Sequence, residues 1–105
     1  RAPASVLIFD TLELRKLSSR ALINNTPLDL RPQSFALLNA IAERQGEWVS
    51  RKALWHEVWT DYKNLPPQDT VINTAISRLR RVLSKAECAP EIVSEDFGYR
   101  LVRCD

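Results

Sequence analysis

The chain is poor in the residues that build metal-binding and phosphate-binding sites. Among its 105 residues it has one histidine, two cysteines, two glycines and no methionine. A zinc site needs about four clustered nitrogen, sulfur or carboxylate ligands, and a phosphate-cradling loop is rich in glycine. Neither pattern is present, so we expect no metal and no cofactor. Because there is no initiator methionine, we also expect that the chain is a domain cut from a longer protein.

Long apolar segments are missing as well. The longest candidate near the start, residues 6–9, is too short for a membrane span or for the core of a signal peptide. The chain is 45% hydrophobic and 27% charged, which is typical of an ordinary globular domain. We therefore expect a soluble, cytoplasmic domain without membrane contact.

The two cysteines, Cys88 and Cys104, do not form a CxxC motif. They can pair only if the fold brings their Cα atoms within about 7 Å of each other. Since disulfides are rare in the cytosol, we expect free thiols.

Charge is balanced overall but not along the chain. There are 15 basic and 13 acidic side chains, so the net charge is only +2 and does not by itself indicate a nucleic-acid partner. Between Thr70 and Lys85, however, four residues are basic and none is acidic. A local basic patch on a nearly neutral domain favours binding to DNA in one orientation.

That basic segment has the periodicity of a helix. Its apolar stripe is formed by Ile72, Ile76, Leu79 and Leu83. The opposite face carries Thr70, Thr74, Ser77, Arg78, Arg81 and Lys85, with Arg80 on the flank. Arginine forks fit guanine edges and phosphates, and hydroxyls fit phosphates or bases. The pattern predicts a helix that lies in a DNA major groove, although an ordinary solvated amphipathic helix has a similar pattern.

The remaining pattern predicts one α+β domain over residues 1–105. We expect a small antiparallel β-sheet within 5–30, a three-helix core over 32–84 and a C-terminal β-hairpin over 91–103. The last two helices and the hairpin together make a winged helix-turn-helix. The third helix, 69–84, is then the recognition helix, and the hairpin is the wing.

Local signals place the ends of these elements. Pro32 suits the first position of the first helix, and Gln45-Gly46 ends it. Ser50 predicts the cap of a second helix that runs to Trp59, and Asp69 predicts the cap of the third. The strand-like alternation of 28–30 places a further strand there, and Gly98 marks a bend or a close backbone approach.

Four sequence blocks occur in the order and spacing of a known family. They are LRPQSFxLL from Leu30, VSRxxLxxxVW from Val49, ISRLRRxL from Ile76, and IVS followed by GYRL from Ile92. These blocks resemble the OmpR/PhoB-type winged-helix effector domain of bacterial response regulators, over essentially the whole chain. The resemblance implies a four-stranded N-terminal sheet and sequence-specific transcription control on double-stranded DNA. It also implies dimers on direct-repeat half-sites.

The resemblance also implies roles for individual residues. It places Arg78 at a base and Arg80 at a phosphate. The full set of expected DNA contacts is Thr70, Asn73, Thr74, Ser77, Arg78, Arg80, Arg81, Lys85, Ser94, Tyr99 and Arg100. Trp59 belongs either to the core or to this set, as an indole N–H donor to a phosphate. The 60–68 loop is expected to touch an RNA polymerase subunit through Thr60, Asp61, Tyr62, Lys63 and Asn64.

Three departures from the family pattern carry expectations of their own. Arg31 and Ser34 replace the usual threonine and glutamate, which changes the capping of the first helix. Thr70 stands where many members have arginine, so one phosphate contact is missing. The segment 94–98 is a short, acidic wing that we expect to touch DNA weakly or not at all, with Phe97 packed on the core or at an interface.

An alternative function stays open at this stage. The acidic wing and the 60–68 loop could make the domain a protein-interaction module with little DNA affinity, whereas Arg78, Arg80 and Arg81 favour DNA. Glu57 and Asp61 lack a nucleophile, metal ligands and a phosphate loop nearby in the sequence. We therefore expect no enzyme.

Overall fold

The computed structural model describes residues 5–62 and 64–104, so Lys63 of the expected polymerase loop lies outside the described residues. The elements follow one another as sheet, helices and hairpin. In chain order they are β1 (Val6–Phe9), β2 (Leu12–Arg15), β3 (Arg20–Ile23), β4 (Thr26–Pro27), α1 (Pro32–Ala42), α2 (Arg51–Val58), a short 3-10 turn (Thr60–Tyr62), α3 (Asp69–Ser84), β5 (Glu91–Glu95) and β6 (Gly98–Val102).

The N-terminal sheet is antiparallel with the order β1-β2-β3-β4. Its last strand corrects the sequence prediction, because β4 is Thr26–Pro27 and not the alternating stretch 28–30. Asn24 and Asn25 both have positive φ angles, 50° and 67°. Asparagine tolerates this left-handed conformation better than most residues. The chain therefore turns back at once, and 28–30 leads into α1 instead.

The helices bury the apolar stripes that their periodicity predicts. On α1 the buried residues include Phe35, Leu38 and Ile41, and on α3 they include Ile72, Ile76, Leu79 and Leu83. The sheet contributes the alternate residues Leu12 and Leu14 of β2 to the same core. One apolar core thus fixes the orientation of α3 and leaves its other side in solvent.

Two helix ends differ from prediction by one residue. The Oγ of Ser50 accepts a hydrogen bond from the Ala53 N–H at 3.0 Å, as expected of a cap, but α2 ends at Val58 and not at Trp59. Asp69 is the first helical residue of α3, and the cap position belongs to Gln68, which makes no side-chain capping bond. Asp69 still lies in the first turn, where its charge complements the helix dipole.

The hairpin β5–β6 is tied to the segment before α2. Val49 and Tyr99 exchange backbone hydrogen bonds of 2.8 and 2.9 Å. Gly98 lies at this contact, and a Cβ on it would be 2.1 Å from the Val49 carbonyl oxygen. The sequence prediction of a close backbone approach at Gly98 is confirmed, and only glycine fits there.

The expectation of free thiols is wrong. Cys88 and Cys104 form a disulfide, with their Cα atoms 5.2 Å apart. The hairpin register explains the pairing, because Glu91 lies opposite Val102. Cys88 precedes the first of these residues closely, and Cys104 follows the second.

The architecture is the α+β winged helix-turn-helix that the sequence predicts. No helix within residues 5–62 and 64–104 is both long enough and apolar enough to cross a membrane.

Candidate nucleic-acid interface

The exposed side of α3 is the surface that the sequence predicts for DNA. We call it the outer face, and it consists of Thr70, Thr74, Ser77, Arg78, Arg81 and Lys85, all of them exposed. The opposite stripe is fully inside the core, with Ile72 and Leu79 at 0% exposure. Burial of the stripe therefore holds the outer face towards solvent.

The outer face carries positive charge that is not neutralised by the described residues. The ion pairs found within 5–62 and 64–104 are elsewhere, between Arg15 and Glu13, Lys16 and Glu43, and Arg44 and Glu57. Arg78, Arg81 and Lys85 take part in none of them. Their donors remain free for an anionic partner.

Glu57 of α2 binds Arg44, which lies shortly after the end of α1. The two side chains form a hydrogen-bonded ion pair. The Glu57 hydrogen bond raises the pKa of Arg44, which keeps the guanidinium charged. The pair links α1 to α2 and gives Glu57 a structural contact.

One flank of α3 is occupied by the hairpin. We call it the wing flank, and it consists of Asn73 and Arg80. The Tyr99 hydroxyl donates to Oδ1 of Asn73 at 2.9 Å. Nε and Nη2 of Arg80 both donate to the Ile92 carbonyl oxygen, at 3.1 and 2.9 Å. Both residues were expected at DNA, but here they attach the hairpin to α3.

Two aromatic residues of the expected set are buried. Tyr99 is 1% exposed and Trp59 is 5% exposed. The Trp59 ring stacks on Trp55 at a centroid distance of 5.3 Å, and the Trp55 indole N–H donates to the Tyr62 carbonyl at 3.0 Å. Of the two roles left open for Trp59, the structure has the core role.

The tip of the wing is exposed and acidic. Ser94, Glu95, Asp96 and Phe97 are all open to solvent. Arg51 of α2 donates to the backbone carbonyls of Glu95 and Asp96. Its guanidinium also lies 4.9 Å from the centre of the Tyr99 ring.

Sequence reasoning assigned no role to Arg51. Its place in the VSR block was the available signal. The structure shows that Arg51 fixes the turn of the hairpin to α2 through these two hydrogen bonds.

Phe97 packs on Trp48 and not on the main core. Their ring centres are 4.7 Å apart in an edge-on arrangement, and Phe97 remains 60% exposed. Arg100 covers the Trp48 ring with its guanidinium 5.5 Å from the ring centre. The Nε of Arg100 is buried without a hydrogen-bond partner among the described residues. Arg100 thus packs at the base of the wing.

The loop between α2 and α3 presents a separate surface. Its described residues Thr60, Asp61, Tyr62 and Asn64 are exposed. Tyr62 and Leu65 are 55% and 53% exposed, respectively.

No cluster of three or more histidine, cysteine or acidic side chains that could hold a metal occurs in the part of the chain that the structure describes.

Comparison with known families identifies this arrangement. Residues 25–101 match the profile of the family described as "Transcriptional regulatory protein, C terminal". The chain belongs to this family. Its members are the OmpR/PhoB-type DNA-binding domains of transcription regulators, so the resemblance and the general function predicted from sequence are confirmed.

A curated relative shows how much of a longer protein the domain represents. The chain is 36% identical over 99 residues to the response regulator SaeR of Staphylococcus epidermidis, which aligns with 92% of this chain and 42% of SaeR. The chain therefore spans less than half the length of that relative.

Solved structures share the whole fold. The DNA-binding domain of CpxR from E. coli is 32% identical, with a TM-score of 0.81 over 99% of this chain and 100% of that one. The Klebsiella pneumoniae RstA DNA-binding domain, solved in complex with the RstA box, has a TM-score of 0.73 over 92% of this chain and 96% of that one. At 20% identity, RstA shows likeness of fold alone.

Proposed function

We propose that this domain binds double-stranded DNA sequence-specifically, with α3 in the major groove. The observation that carries the proposal is the outer face, where arginines and hydroxyls are exposed together and the buried stripe behind them fixes their direction. A helix of this width fits the major groove, and arginine is the side chain most often used to read guanine there. The RstA domain of the same fold was solved with its own DNA box.

The outer face divides into residues that read bases and residues that hold the backbone. Arg78 is our candidate for a base edge, because its guanidinium presents two parallel donors to guanine. Arg81 and Lys85 are candidates for phosphates, with Thr74 and Ser77 as hydroxyl donors. We leave Trp59 and Tyr99 out of the contact set because they are buried. We leave Arg80 out because its Nε and Nη2 donate to the Ile92 carbonyl oxygen.

The whole protein is proposed to be a response regulator in the cytoplasm, where the Cys88–Cys104 disulfide would be an exception to the usual reduced state of thiols. It would act by binding rather than by catalysis, as a dimer on repeated half-sites. The relation to SaeR supports this layout, since SaeR is a response regulator more than twice as long as the aligned part.

The exposed loop 60–68 is the proposed contact with an RNA polymerase subunit. Changing Asp61 and Tyr62 to alanine is expected to reduce regulated transcription while DNA affinity stays the same.

Selection from a random duplex library tests the proposal. A repeated motif should be enriched, and the domain should bind it far more tightly than scrambled DNA. Affinity for both should fall as salt rises, because bound phosphates release their counterions. The matched control is a variant with Arg78, Arg81 and Lys85 changed to alanine, which should enrich nothing. Enrichment by this variant that equals the wild type would contradict the assigned surface.

A protein-docking function is the second candidate. The exposed pair Trp48 and Phe97 beside the acidic tip at Glu95 and Asp96 favours it. If the wild type binds DNA only weakly and without sequence preference, this second function becomes the better account.

A further inference from the structure

Three arginines surround one cleft, two of them on α3 and one immediately before α1. It lies between the start of α1 and the C-terminal half of α3, has a volume of about 340 Å³, and is lined by Arg31, Arg78, Arg81 and Val82. All three arginines are exposed. Arg31 comes from a part of the chain that neither the family pattern nor the periodicity of α3 connects with DNA.

The charge of this cleft is of one sign. No acidic residue lines it, and none of its arginines belongs to an ion pair within residues 5–62 and 64–104. Like charges placed together repel each other unless an anion lies between them. The guanidinium group has five donors in a planar fork that matches the oxygens of a phosphate. The cleft therefore has the charge and the donor groups to hold a phosphate.

Arg31 does not serve the helix that it precedes. It is the residue before α1, and its side chain makes no capping hydrogen bond. The family pattern has threonine here, whose hydroxyl would cap the helix and typically stabilise it by about 1 kcal/mol relative to a residue that cannot cap. Arginine gives up this local stabilisation and adds a cation beside Arg78. The Arg31 side chain is therefore available for a contact outside the helix.

We propose that Arg31 binds a backbone phosphate of the DNA next to the base pair that Arg78 reads. This rests on the proposed function, and it extends the DNA surface from α3 to the start of α1. The contact is electrostatic, so it strengthens binding to any sequence. Arg31 would position the duplex, whereas Arg78 would read it.

Salt-dependent titration of single variants tests the proposal. We would measure binding of the selected operator and of scrambled duplex by fluorescence anisotropy between about 0.05 and 0.3 M salt. Arg31→Ala is expected to lower the affinity for both duplexes equally, by about five-fold at 0.15 M salt. It should also reduce the slope of log affinity against log salt concentration by about one. Arg31→Lys should retain most of the slope. Arg20→Ala removes an exposed arginine at the start of β3 and should leave the slope unchanged.

A second variant separates phosphate binding from helix stability. Arg31→Thr provides a capping hydroxyl, so α1 should be at least as stable as in the wild type. It is nevertheless expected to lose the same slope as Arg31→Ala. Recovery of wild-type binding in Arg31→Thr would show that Arg31 acts through the helix, and would overturn the proposal.

Other outcomes overturn the proposal in distinguishable ways. An unchanged slope in Arg31→Ala with normal wild-type binding rejects the Arg31 contact alone. A loss confined to the operator would assign Arg31 to a base. If inorganic phosphate binds only when Arg31 is present, but leaves the DNA affinity unchanged at matched ionic strength, the cleft holds a free anion and not the DNA backbone. Absence of salt-dependent binding in the wild type rejects the proposed function itself.

Discussion

The two flanks of α3 use the same kinds of side chain for opposite purposes. On the wing flank, Asn73 and Arg80 are bound to Tyr99 and Ile92 of the hairpin. Towards α1, Arg78 lies with Arg31 at an open cleft. Arg80 and Arg81 are neighbours in sequence, but each step along a helix turns by about 100°. Position on the helix, and not residue type, decides which arginine holds the fold and which is left for a ligand.

The largest expected effect is on the hairpin side, at the disulfide. Its sequence separation is 16, and closing a loop of that size stabilises a fold by about 3 kcal/mol. Reduction, or the pair Cys88→Ser and Cys104→Ser, should therefore lower the free energy of unfolding in urea by about that amount. Operator affinity at a temperature where both forms are folded should not change.

Thiol counting is the control for this prediction. Alkylation followed by mass measurement should find no free thiol before reduction and two after it. If reduction of the disulfide changes operator affinity while the protein stays folded, the hairpin side also determines DNA binding. That result would contradict the contrast between the two flanks.

The next effect is on the outer face. Arg78→Ala should cost about 1–3 kcal/mol of binding to the operator and much less on scrambled DNA. Because Arg78 is exposed and off the core, the thermal midpoint should stay the same. Losses of equal size on operator and scrambled duplexes would reject a base contact for Arg78.

The smallest expected effect is on the stability contributed by one tyrosine hydroxyl, that of Tyr99. Tyr99→Phe removes the bond to Asn73 and should lower the free energy of unfolding by about 1 kcal/mol. The matched change Tyr62→Phe alters an exposed ring and should have no measurable effect on stability. Equal effects of the two changes would show that the Tyr99–Asn73 bond does not stabilise the attachment of the hairpin.

Repeating local patterns made most of the fold predictable. The stripe Ile72, Ile76, Leu79 and Leu83 needs only the period of a helix, and the structure buries all four residues. The cap at Ser50 is an equally local signal. The strand predicted at 28–30 was wrong, because a two-residue asparagine turn brings the chain back at Thr26–Pro27 and overrides a weak alternation.

The candidate site was less predictable because it depends on contacts between distant segments. Whether Arg80 faces DNA or Ile92 depends on where β5 lies, which no pattern within α3 reveals. Arg31 and Arg78 come together only after α1 packs on α3. The disulfide could have been found, since the predicted hairpin already placed Cys88 and Cys104 at its two open ends.

The most direct test compares Arg80→Ala with Arg81→Ala, in operator titrations over a range of salt and in urea unfolding. We predict that Arg81→Ala lowers the salt slope by about one and leaves stability unchanged. We predict that Arg80→Ala keeps the slope and lowers the free energy of unfolding by about 1 kcal/mol. A slope that falls as much in Arg80→Ala as in Arg81→Ala, with no loss of stability, would contradict the division of α3 into a fold-holding flank and a DNA-binding face.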